Sequence, residues 1–136
     1  MIQRMSHTTL WVLDQERALD FYVGKLGFEV RTDQNLGGFR WLTVGPKAQK
    51  ELEIILMKVA TGPMVDEAAA AMLRTLVEKG ALAPGIFETD DCQATYDELS
   101  AKGVTFRSPP RQMPYGIEAV LKDDSGNFLS VVQRPK

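Results

Sequence analysis

The chain says the same thing twice, and that repetition limits the folds open to it more than any other feature. HTTLWVLDQERALDFYVGKLGFEV, residues 7–30, reads as strand, capping aspartate, helix, glycine and strand. GIFETDDCQATYDELSAKGVTF, residues 85–106, follows the same order. In the first stretch Thr8, Leu10 and Val12 alternate with His7, Thr9 and Trp11, the period of a strand with two distinct faces. Asp14 is a short polar residue suited to cap the helix that follows. Ala18, Phe21, Tyr22 and Leu26 fall on one side of that helix, and Gly27 ends it. Asp91 and Gly103 match Asp14 and Gly27, with the second helical segment one residue shorter. A fold that serves one half must serve the other.

Strands complete each half. Phe28 to Thr32, Phe39 to Val44 and Leu52 to Met57 are separated by the turn-rich segments DQNLGG and GPKAQK. In the second half, Ile117 to Lys122 and Asn127 to Gln133 flank DDSG, where Gly126 supplies a positive φ. The expectation is α+β: two βαβββ units, about residues 6–58 and 84–134, in one domain over 1–136. Between them, PMVDEAAAAMLRTLVEKGA is rich in helix formers and predicts a helical linker within about 63–80. Met64, Met72 and Leu76 are expected to cover one end of the sheet. Each βαβββ unit leaves one sheet face free of its helix. Two together predict a cupped, mostly antiparallel sheet with helices outside and a concave ligand site.

Composition narrows the partners. With 44% hydrophobic and 25% charged residues, the 136-residue chain is long enough to bury its own core. A formal charge of -2 and a pI near 5.4 argue against nucleic acid, which demands clustered Lys and Arg. No apolar run approaches the roughly 20 residues of a membrane helix. MIQRM lacks the apolar core of a signal peptide, and the single Cys92 has no intramolecular disulfide partner. The reading is cytoplasmic, with neither membrane nor nucleic acid as a partner.

The runs H-T-T-L-W-V-L-D, A-L-D-F-Y and L-G-F-E-V resemble the vicinal oxygen chelate superfamily, the glyoxalase, bleomycin resistance and dioxygenase group. So do F-E-T-D-D at Phe87 to Asp91, P-Y-G-I-E at Pro114 to Glu118 and D-D-S-G-N at Asp123 to Asn127. Together they span about His7 to Gln133 in the family's order. The resemblance implies the βαβββ pair, a small-molecule ligand, and a homodimer. It also implies a possible divalent metal, since family members include metal-dependent lyases, isomerases and dioxygenases as well as metal-free drug binders.

In metal-binding members the ligands are the first residue of each unit's opening strand, usually His, and a Glu or similar group on each unit's last strand. His7, seven residues before Asp14, fits the first position. Pro84 stands seven before Asp91 and has no ligating side chain. Ser130, four residues after Gly126, takes the last-strand position of the second unit, where its hydroxyl is a poor ligand. In the first unit either Glu53 or Ile55 takes the corresponding place. His7 and Glu53 are therefore the metal candidates, with a further carboxylate available from Glu118 or from Glu88, on the same face as Pro84, though no spacing requires either, and no cofactor is expected.

The expected ligand-binding residues are His7, Thr9, Trp11, Glu53, Ile55, Tyr115, Glu118 and Ser130. Trp11, Trp41 and Tyr115 can stack on a planar ligand, with Trp11 favoured over Trp41. Arg40 and Trp41 are adjacent, so only one of them reaches the ligand face. Cys92 reads as a small packing residue although it lies in a helix's first turn. The expected function is a metal-free small-molecule-binding protein of the bleomycin-resistance type. The alternative is an enzyme: a glyoxalase-like metal-dependent lyase, isomerase or dioxygenase, or a metal-independent one with Glu53 as a base of raised pKa.

Overall fold

The computed structural model describes residues 1–136, and its contacts group them into two compact units, Met1–Thr75 and Leu76–Lys136. The first unit holds β1 (His7–Val12), α1 (Gln15–Leu19), β2 (Glu29–Asn35), β3 (Arg40–Gly45) and β4 (Glu53–Lys58). α2 (Glu67–Glu78) spans the boundary. The second unit holds β5 (Ile86–Glu88), α3 (Cys92–Ala101), β6 (Thr105–Met113), β7 (Gly116–Lys122) and β8 (Phe128–Gln133). Each unit is a βαβββ module with one four-stranded mixed sheet, in the order β1-β4-β3-β2 and β5-β8-β7-β6. In both, the opening strand runs parallel to the last strand and the other pairings are antiparallel.

The repeated signals act as the sequence suggests. Asp14 accepts the Arg17 N–H and Asp91 accepts the Ala94 N–H, each at 2.9 Å, satisfying a helix-start donor that would otherwise be orphaned. α3 closes with the Val104 N–H on the Leu99 carbonyl and the Gly103 N–H on that of Ser100, a Schellman ending in which Gly103 has φ +86°. The first helix ends differently. From Asp20 to Lys25 it widens into a π-helix, and the Leu26 N–H reaches back five residues to Phe21. A π turn accommodates one inserted residue. That is the residue by which the first repeat is longer.

In the first unit, Leu10, Val12, Leu42, Val44, Ile54 and Leu56 are buried on the sheet side that meets Ala18, Phe21 and Tyr22 of the helical segment. Gln15 fastens the helix to that sheet, its amide donating to the carbonyls of Leu56 (2.9 Å) and Arg40 (3.2 Å). In the second unit, Leu99 and Cys92 of α3 are buried, as are Ala119, Leu121, Leu129 and Val131 of the sheet.

Three expectations need correcting. β2 continues to Asn35, because an edge strand tolerates the polar run TDQN, and a bulge at Arg31 shifts its register against β3. The tight turn is therefore confined to residues 36–39, where Leu36 N–H donates to the Phe39 carbonyl. Met64, Met72 and Leu76 are exposed, at 89%, 62% and 40%, rather than packed over an end of the sheet. The inward stripe of α2 is instead Ala70, Leu73 and Val77, at helical spacing, and Met72 and Leu76 lie off it.

Candidate functional site

Pairing across the ladders decides which side chains share a face. His7 pairs with Glu53, Thr9 with Ile55 and Trp11 with Met57, while Thr43 pairs with both Ile55 and Thr32, and Gln34 with Trp41. His7, Thr9, Trp11, Trp41, Thr43, Glu53, Ile55 and Thr32 therefore stand on the sheet face that the helix leaves free.

At the centre is a polar cluster that the sequence shows only in part. Glu53 Oε1 accepts the hydroxyl hydrogen bonds of Thr43 (2.6 Å) and Thr32 (3.3 Å), and Oε2 lies 3.1 Å from His7 Nε2. His7 Nδ1 lies 2.8 Å from the Ser6 hydroxyl. The Thr43 hydroxyl holds the Glu53 carboxyl below the ordinary glutamate range; partial burial opposes this, and His7, Thr32 and Arg31 reinforce it. The raised pKa that the enzyme alternative attached to Glu53 is thus the opposite of the shift found. A carboxylate that accepts several hydrogen bonds is favoured in its charged form, and the limited burial here does not outweigh them.

Nε2 of His7 faces the Glu53 carboxylate, and Nδ1 faces the Ser6 hydroxyl. Both ring nitrogens are engaged. The His7 ring centroid lies 6.2 Å from that of Trp41, which lies 6.5 Å from Phe39. Trp41 thus belongs beside His7, and Phe39, absent from the sequence-based set, extends the aromatic row. Arg40 is on the opposite face, bound to Asp33 and to Glu16 of α1.

The remaining expected residues lie in the second unit. Tyr115 donates its hydroxyl to Glu118 Oε1 at 2.8 Å. Glu118 pairs with Val132 and Ser130 pairs with Val120 and Ile86, so Glu118 and Ser130 share the face that α3 leaves free. On β8, Phe128 lies under the Arg107 guanidinium, 4.9 Å from its ring centroid. Cys92 is fully buried, and burial raises its thiol pKa, in keeping with a packing role.

Register also resolves how the two halves correspond. Ile86, the partner of Ser130, lies five residues before Asp91, just as Thr9, the partner of Ile55, lies five before Asp14. Ser130 is therefore the counterpart of Ile55, and Glu53 has Phe128 as its counterpart. Whichever pair holds the family's metal position, the second unit offers a serine or a phenylalanine there. Nowhere do three or more His, Cys, Asp or Glu side chains converge as a group able to hold a metal ion. His7 and Glu53 are two donors already bonded to each other, and a catalytic zinc takes three protein ligands. The residues present do not fit that group.

The model of the Glyoxalase/Bleomycin resistance protein/Dioxygenase superfamily matches residues 4–131. The chain belongs to this superfamily. It is 37% identical over 128 residues to the uncharacterized protein YurT of Bacillus subtilis (strain 168), covering 93% of this chain and 96% of YurT. Among solved structures, UcmS2 is similar with a TM-score of 0.92 and 47% identity, over 98% of this chain and 99% of UcmS2. TnmS3, an antibiotic binding protein from Streptomyces sp. CB03234, is similar with a TM-score of 0.78 and 29% identity, over 98% of both chains. No helix of this superfamily member is long and apolar enough to cross a membrane.

Proposed function

We propose that this chain binds a small planar aromatic molecule on the free sheet face of its first unit and sequesters it without a metal. The observation that carries the reading is the row Phe39, Trp41 and His7 beside an anchored Glu53. Exposed ring faces are what a planar ligand stacks on, and one fixed polar group orients it. The likeness to TnmS3 along the whole chain supports an antibiotic as the ligand class. A metal would have to break the His7–Glu53 hydrogen bond to gain only two protein donors, which favours the metal-free reading over the lyase, isomerase or dioxygenase alternative.

Thermal unfolding tests the reading. A panel of antibiotics with planar aromatic ring systems, each added in excess, is expected to contain members that raise the melting temperature with no metal present. Zinc, nickel and a chelator are each expected to leave it unchanged. A panel without effect, together with stabilisation by a stoichiometric divalent metal, would replace this reading with the enzyme alternative.

A further inference from the structure

Glu53 offers more than a place in the row. Its two oxygens are not equivalent. Oε1 is saturated by the hydroxyls of Thr43, which is fully buried, and Thr32, whereas Oε2 meets only His7. A carboxylate has about four acceptor sites, two on each oxygen. Oε2 therefore keeps one, on a side chain that is 28% exposed. The fixed hydroxyls hold the carboxylate by one oxygen and present the other.

The accessible donors around it are committed. His7 directs Nε2 at Glu53 and Nδ1 at Ser6, and the Thr43 and Thr32 hydroxyls point at Oε1. Arg31, the nearest guanidinium acting on Glu53, bonds Glu29 and the carbonyls of Pro46 and Gln49 through its terminal nitrogens. Its Nε has no hydrogen-bond partner, but it is buried against Gly45, where a Cβ would lie 2.9 Å from it, and is closed to an incoming ligand. What this place offers an incoming polar group is an acceptor with negative charge, beside an aromatic ring.

We propose that Glu53 sets ligand specificity: the site takes a planar aromatic molecule bearing a hydrogen-bond donor, a phenol or a protonated amine, and rejects the same ring bearing a carboxylate. This rests on the planar-ligand reading above. A donor completes Oε2 with a charge-assisted hydrogen bond, and an ammonium adds attraction to the Trp41 ring face. An ether leaves the acceptor desolvated and unpaired, and a carboxylate adds like-charge repulsion.

The test is equilibrium dialysis of the wild-type protein at pH 7 against four probes on one ring: 2-naphthol, 2-naphthylmethylamine, 2-methoxynaphthalene and 2-naphthoate. The two donors are expected to bind at least about tenfold tighter than naphthoate and several-fold tighter than the ether. Glu53→Gln should shrink the gap to naphthoate to a few-fold and weaken the amine more than the naphthol, with melting temperature recorded as the check on folding. Trp41→Phe should weaken all four, the amine most. The wild-type ranking decides the matter even if Glu53→Gln does not fold. Naphthoate binding as well as the donors would overturn the specificity while leaving the planar-ligand reading intact. Failure of all four to bind at millimolar concentration would overturn both.

Discussion

His7 and Glu53 occupy paired positions on the parallel strands β1 and β4, with Nε2 of one 3.1 Å from Oε2 of the other. At 38% and 28% side-chain exposure the pair is a partly solvated contact, worth at most about 1 kcal/mol by itself. The firmer hold on Glu53 is the buried Thr43 hydroxyl at 2.6 Å. Losing one partner of such a bond costs on the order of 1–3 kcal/mol, because the other is left unsatisfied.

This asymmetry predicts a pH dependence. The folded pKa of Glu53 is depressed from its ordinary value of 4.5, chiefly by Thr43, so its contribution to stability is complete above that value and is lost as pH falls through the lower folded value. Wild type should exceed Glu53→Gln in stability, by on the order of 1 kcal/mol, near pH 6. The difference should shrink steadily below about pH 4.5. Urea unfolding of both proteins from pH 3 to 7 measures it, and a difference that grows toward acid would contradict the assignment.

Metal content follows from the donor set. Purified protein should carry far less than one divalent ion per chain by elemental analysis, since His7 and Glu53 give two protein ligands where a stable site needs three or more. Stoichiometric metal that disappears in His7→Ala would refute this.

The two tryptophans report binding differently. Trp41 stands beside His7, whereas Trp11 lies four residues further along β1, opposite Met57. A bound planar ligand should quench tryptophan emission, and Trp41→Phe should remove more of that response than Trp11→Phe. The reverse order would place the ligand at the other end of β1.

The last hairpin has a stricter requirement. Gly126 has φ +113°, and a Cβ there would lie 2.8 Å from the Val77 carbonyl oxygen at the end of α2. Its N–H also donates to Asp123 Oδ1 at 3.0 Å, within a turn whose Asp123 and Asn127 are buried. Gly126→Val is expected to destabilise the protein by more than about 1 kcal/mol, adding strain to a backbone collision. An unchanged melting temperature would contradict this packing of the turn on the helix.

The repeat was legible because its signals are local. A capping aspartate, a helix-ending glycine and the two-residue alternation of a strand each act within a few residues, so Asp14, Asp91 and Gly103 could be read before any tertiary contact was known. The superfamily was legible as a resemblance of runs such as H-T-T-L-W-V-L-D and D-D-S-G-N, and the shared face of His7 and Trp11 as strand alternation. The tertiary structure decided what depends on how strands meet. A bulge at Arg31 and the pairing of β3 with β4 brought Thr32 and Thr43 onto Glu53, whose pKa is lowered where the enzyme alternative called for a raised one. Ladder register matched Ser130 to Ile55 and Phe128 to Glu53, because the offset between parallel strands is set by hydrogen bonds between residues distant in the chain. Hydroxyls such as those of Thr32 and Thr43 carry no signal of their own in a sequence. They become part of a site only when the sheet places them within reach of a charge.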